Sequence, residues 1–92
     1  MSKRFQILVT PTFELGYRKL LAHDKDLDGF FRNALKKLEI NPQRGGQIKK
    51  LVGVTAGDGA WRMRLGVYRL RYDVYGETVV LHMVGLRKDI YR

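Results

Sequence analysis

The stretch Ala60–Val74, AWRMRLGVYRLRYDV, decides how this chain folds. Trp61, Met63 and Leu65 alternate with Arg62 and Arg64. After Gly66-Val67 the alternation resumes, with Tyr68, Leu70, Tyr72 and Val74 set against Arg69, Arg71, Asp73 and Tyr75. A period of two sends successive side chains to opposite faces of a strand. A two-residue step that begins with glycine joins two such strands into a hairpin. The hairpin has one apolar face that needs cover. Its other face carries four arginines, with no acid until Asp73.

The cover lies towards the N-terminus. FQILV, residues 5–9, alternates Phe5, Ile7 and Val9 and reads as a short strand. Thr10-Pro11 then opens a helix, since proline is tolerated in a first turn. Phe13, Tyr17, Leu20 and Leu21 recur at helical spacing, and Gly16 weakens this helix by about 1 kcal/mol relative to alanine. HDKDLDG is a polar break. A second helix presents Leu27, Phe30, Phe31, Ala34, Leu35 and Leu38 on one face. It carries Lys36 and Lys37 near its end, where cations suit the helix dipole, and Asn41-Pro42 stops it.

Residues 43–59 read as loop with a short extended piece around Leu51. Gly76-Glu77 makes a second hairpin turn, and TVVLHMV, residues 78–84, is apolar enough for a central strand. The expected order is β-α-α-β-β-β: an α+β domain of two layers, with the N-terminal strand and helix hairpin packed on an antiparallel sheet.

At 92 residues the chain makes one domain, 1–92, with a single modest core. No apolar run approaches the roughly 20 residues that span a bilayer, and Phe5–Val9 is too short for a signal peptide. The reading is a cytoplasmic protein with no membrane partner. The lack of cysteine excludes disulfides and thiolate metal sites. His23 and His82 have no matching carboxylate cluster, so neither a metal nor another cofactor is expected.

The net charge is +9, and its distribution matters more than its size. Residues 1–43 hold 8 basic and 5 acidic side chains, whereas residues 44–92 hold 10 and 4. The excess therefore sits with the hairpin and points to a polyanionic partner. Like charges on neighbouring strands repel, and a polyanion relieves that repulsion. Guanidinium suits phosphate because its fork donates two parallel hydrogen bonds and stays charged at any physiological pH. The segment VGLRKDIYR brings Arg87, Lys88 and Tyr91 in directly after the last strand. A tyrosine among cations can lose its proton more easily and serve in proton transfer.

These motifs together carry a family resemblance. Phe13 early in the first helix, a basic helix hairpin ending in LEINP, then KKLVG, WRMRLGVYRLRYDV and VGLRKDIY, resemble the RelE/ParE superfamily of toxins from toxin–antitoxin pairs. The likeness runs over almost the whole chain, and its most specific part is the "YR" strand followed by VGLRKDIY.

The RelE branch cleaves messenger RNA in the ribosomal A site, so the resemblance implies a metal-independent endoribonuclease. It also implies three partners: the ribosome, mRNA and a cognate acidic antitoxin. Carried over, its catalytic positions fall on Arg62, Arg64, Arg69, Arg87 and Tyr91. Lys49, Lys50, Arg71 and Lys88 are read as further RNA-binding residues. The chain departs from the family in one respect. Well-known RelE proteins have lysines where Arg62 and Arg64 stand, and an arginine cannot act as a base. Tyr91 is the first candidate for that role and His82 the second, although a histidine interrupting an apolar strand is more often packed and hydrogen-bonded. Two alternatives stay open: a ParE-like poison of DNA gyrase, and a relic that binds its antitoxin without cutting RNA.

Overall fold

The structure is a computed structural model and describes residues 4–90. Strand β1 (Gln6–Val9) leads into helices α1 (Pro11–His23) and α2 (Leu27–Ile40). Strands β2 (Ile48–Lys50), β3 (Trp61–Leu65), β4 (Tyr68–Tyr75) and β5 (Thr78–Leu86) follow, and one further helical turn, α3 (Arg87–Ile90), succeeds β5. The five strands form one sheet in the order β1-β5-β4-β3-β2.

The two hairpins fall where the glycines put them. Gly66 (φ 61°) and Gly76 (φ 57°) supply the left-handed backbone that two-residue turns require. From β2 to β5 every neighbouring pair is antiparallel, as expected. β1 departs from the expectation: it lies parallel to β5, with Gln6 opposite Thr78 and Val9 opposite Leu81. A parallel pair needs a long crossover, and the two helices provide it, so the sheet is mixed. The extended piece expected around Leu51 is β2, one to three residues earlier, at the far edge. β5 lies inside the sheet, between β1 and β4, and its Val79 and Leu81 are fully buried.

The helices cover the apolar side of the sheet, α1 over β5 and α2 over β3. Thr10 caps α1 by accepting the Phe13 N–H at 3.0 Å, and its hydroxyl donates to the His82 carbonyl at 3.2 Å, which ties the start of the helix to β5. Phe13, Tyr17 and Phe31 then form an aromatic trio, with ring centroids 4.6–6.0 Å apart. On α2, Leu27, Ala34 and Leu38 are buried against Met63, Leu65, Leu70 and Tyr72. Each such leucine contributes about 1.5–3 kcal/mol by leaving water. Phe30 corrects the expected apolar face: it is 47% exposed, at the rim of the contact near the Gly66 turn. Helical periodicity marked the correct side of α2 but not its limit.

Three phenols tie the elements together, Tyr17 helix to helix and Tyr68 and Tyr72 sheet to helix layer. Tyr17 donates to Asp28 at 3.0 Å, Tyr68 donates to Asp24 at 2.8 Å, and Tyr72 donates to the Pro42 carbonyl. Burial, and then the Asp28 hydrogen bond, pushes Tyr17 up to about 12. The Asp24 bond raises Tyr68, and burial raises Tyr72. All three keep their protons near neutrality and act as hydrogen-bond donors rather than as bases.

Candidate nucleic-acid interface

The arginines lie on the opposite side of the sheet from the helices. Register sets them in pairs: Arg62 faces Arg71 and Arg64 faces Arg69 across β3 and β4, and Lys49 of β2 faces Arg62 on the other flank. Arg69 is opposite Gly85 of β5, which presents no side chain there. The chain leaves β5 at Leu86, and Arg87, the first residue of α3, comes in beside this group. Lys49, Leu51, Arg62, Arg64, Arg69 and Arg87 line one cavity of about 300 Å³. Its lining among the described residues contains five cations and no carboxylate.

Backbone carbonyls orient two of these groups. Arg69 donates to the carbonyls of Tyr68 at 2.9 Å and Gly66 at 3.2 Å, and Arg62 reaches the Gln47 carbonyl at 3.4 Å. The acids Glu14, Asp28 and Glu39 pair with arginines elsewhere, on or beside the helices. The cavity is thus a pocket of oriented guanidinium groups of the kind that binds phosphate oxygens.

The remaining predicted residues divide. Lys50 points away from Lys49, with its ammonium 5.9 Å from the Trp61 ring centre on the other side of the sheet. Lys88 lies next door, with Val67, Leu86 and Arg87 around a wider open hollow. Tyr91 lies outside the described residues. Arg71 shares the arginine face but is engaged with the fold. Its Nε donates to Gly59 O at 2.9 Å, one terminal nitrogen to Asp58 O at 2.8 Å, and the other to Ile90 O at 3.3 Å.

Beyond Arg71 the face is closed. Asp73, expected among the solvent-facing side chains, is 1% exposed. Its carboxylate accepts the N–H groups of Gly59 and Ala60, both at 3.0 Å, and His82 Nε2 lies 2.9 Å from it. The 51–60 connection folds under the sheet and buries it. Gly59 makes this approach possible. Its φ is +78°, and a Cβ there would stand 3.0 Å from the Arg71 Cβ. The irregularity between Arg71 and Tyr72, where His82 is the extra residue on β5, brings the imidazole to the carboxylate. His82 is therefore packed against Asp73, outside the lining of the cationic cavity.

No protein-family sequence model matches the chain, and no curated protein matches it by sequence. Solved structures do match. The YoeB dimer from Staphylococcus aureus aligns with 24% identity over 87% of this chain and 93% of its own, with a TM-score of 0.70. The RelB–RelE antitoxin–toxin complex from Methanococcus jannaschii aligns with 26% identity over 91% and 94%, at 0.62. The archaeal RelE–RelB complex from Pyrococcus horikoshii OT3 aligns with 20% identity over 95% and 97%, at 0.69. The fold is that of the RelE-like toxin superfamily. On this RelE-like frame, four of the five carried-over positions, Arg62, Arg64, Arg69 and Arg87, line one cavity, and Lys49 joins them.

Sequence reasoning missed the part played by Asp73 and the difference between Arg69 and Arg71, although a signal for the first was present. An acid on an otherwise cationic strand face and a histidine inside an apolar strand are two anomalies that resolve each other as a pair.

Proposed function

We propose that the protein is the toxin of a type II toxin–antitoxin pair and acts as a ribosome-dependent endoribonuclease on messenger RNA. The observation that carries this reading is the cavity of five cations, with no carboxylate in its described lining, set on a RelE-like fold. In RNA cleavage of this kind the 2′-hydroxyl attacks the adjacent phosphorus and the 5′-oxygen leaves. Negative charge builds on the non-bridging oxygens and on the leaving oxygen. Preorganised cations aimed at those atoms supply the main stabilisation. Arg62, Arg64, Arg69 and Arg87 take that role, with Lys49 as a further phosphate contact. The arginines hold their protons throughout, so the proton of the 2′-hydroxyl passes to another group, which this reading assigns to Tyr91.

An antitoxin completes the proposal. The Methanococcus jannaschii relative was solved as an antitoxin–toxin complex, and a chain of charge +9 suits an acidic neutraliser. Such a partner should be encoded beside this protein and co-purify with it.

The test is a reconstituted translation reaction with messenger RNA ends mapped by primer extension, compared with reactions lacking ribosomes or containing Arg87→Ala protein. New ends within A-site codons, absent from both controls, are the expected result. Intact RNA with undiminished protein synthesis would overturn the nuclease reading and turn attention to DNA supercoiling.

A further inference from the structure

Arg71 is the one member of the four-arginine ribbon that does not line the cationic cavity. Its guanidinium instead collects three carbonyls from two separate segments: Asp58 and Gly59 in the 51–60 connection, and Ile90 in α3. Three of its five N–H donors are engaged in this way, and the rigid plane of the guanidinium fixes the direction of the other two. What it holds is informative. Ile90 is the last residue of the four-residue turn that begins with Arg87, and Arg87 lines the cavity. The Ile90 side chain is 5% exposed and packs where Gly85 leaves room, with its Cδ1 3.8 Å from where a Gly85 Cβ would lie. Among the described residues, a polar and an apolar contact thus run from α3 to β4 and β5. The polar contact is anchored below by the Asp58–Gly59 segment, where the peptide N–H groups of Gly59 and Ala60 are themselves held by buried Asp73.

We propose that Arg71 is a positioning residue: it fixes α3 to the buried 58–60 segment and so sets Arg87 over the cationic cavity, rather than contacting RNA itself. The inference rests on the arginine face being a nucleic-acid surface, but its core is a statement about α3 that can be tested apart from any activity.

Two measurements on the full chain decide it. The first is hydrogen exchange on Arg71→Ala and Ile90→Ala proteins. Each should speed exchange at residues 87–90, and Arg71→Ala also at 58–60, with α1 and α2 protected as in the parent. Ile90→Ala loosens the same turn without removing a charge or touching the 58–60 segment, so it serves even if Arg71→Ala folds poorly. Unchanged exchange at 87–90 in a folded Arg71→Ala protein would overturn the proposal whether or not the protein cleaves RNA.

The second is the salt dependence of binding to a single-stranded RNA oligonucleotide. Removing one cation that neutralises a phosphate should lower the log–log slope by about 0.7. Arg87→Ala should show one such step. Arg71→Ala in the Arg87→Ala background should show no further step, because a residue that acts through Arg87 has no effect once Arg87 is gone. A second step of about 0.7 in the double variant would make Arg71 a phosphate contact and refute the proposal. If the parent protein shows no salt-dependent RNA binding at all, the nucleic-acid reading fails, and the exchange experiment alone judges the clamp.

Discussion

The two ends of the arginine face are made from the same strands and have opposite characters. Towards the Gly66 turn, Arg62, Arg64, Arg69 and Arg87 gather with Lys49 around an open cavity with no acid in its described lining. Towards the Gly76 turn, Arg71, Asp73 and His82 are joined to one another's surroundings by bonds of 2.8–3.3 Å and covered by the 51–60 connection. The difference is one of connection. At the closed end Asp73 and His82 face each other and Arg71 is tied to three backbone carbonyls, so the group contributes to holding the fold. At the open end the cations line a shared space with no carboxylate in its described lining.

The contrast breaks most sharply if the two ends exchange roles under mutation. Arg87→Ala should cut cleavage by about 10²–10³-fold, the cost of one oriented donor at a developing oxyanion, and leave the melting temperature nearly unchanged. Single-turnover cleavage and calorimetry on the same protein check both halves. Asp73→Ala should do the reverse. It leaves two buried N–H groups and the imidazole without their acceptor, at a cost of about 3 kcal/mol, seen as a shifted urea midpoint. An Asp73→Ala protein as stable as the parent would show that the closed end holds nothing.

A smaller effect sharpens the boundary between the ends. Gly59→Ala forces a side chain into left-handed backbone and against Arg71, which should cost about 1–2 kcal/mol in chemical denaturation. The smallest effect is a control on the far layer. Gly16 on α1 has ordinary backbone, and a Cβ there would lie 3.8 Å from the Val84 carbonyl, an ordinary contact. Gly16→Ala should therefore stabilise by about 0.5–1 kcal/mol, with RNA binding unaltered.

What was legible in the sequence follows the range of the interactions. The hairpins, the helix pair and the sidedness of Arg62, Arg64 and Arg69 depend on residues within a few positions of one another, and alternation reveals them. The likeness of VGLRKDIY to the family pointed to Arg87, which the fold brings to the same cavity. The burial of Asp73 depends on Gly59 and Ala60, 14 and 13 positions away, and no local pattern announces that a loop will fold beneath a strand. Parity put Asp73 and Arg71 on the correct face, but a face is not always a surface. Lys49 and Lys50 show the same limit in miniature: adjacent in sequence and grouped as RNA-binding, they point to opposite sides because β2 is a strand and not a loop.

The parallel pairing of β1 with β5 has a consequence for the order in which the molecule comes into being. The bond from Thr10 to the His82 carbonyl spans 72 positions, so β1 is made long before the strand that completes its pairing. Contacts of such separation close slowly, because a long loop must be ordered before they contribute. Arg87 follows β5 directly, so the cationic cavity is finished only when that same strand is in place. A nascent chain stalled before β5 would carry Arg62, Arg64 and Arg69 on an incomplete sheet. The cations of the cavity therefore come together only after the sheet has closed around β5.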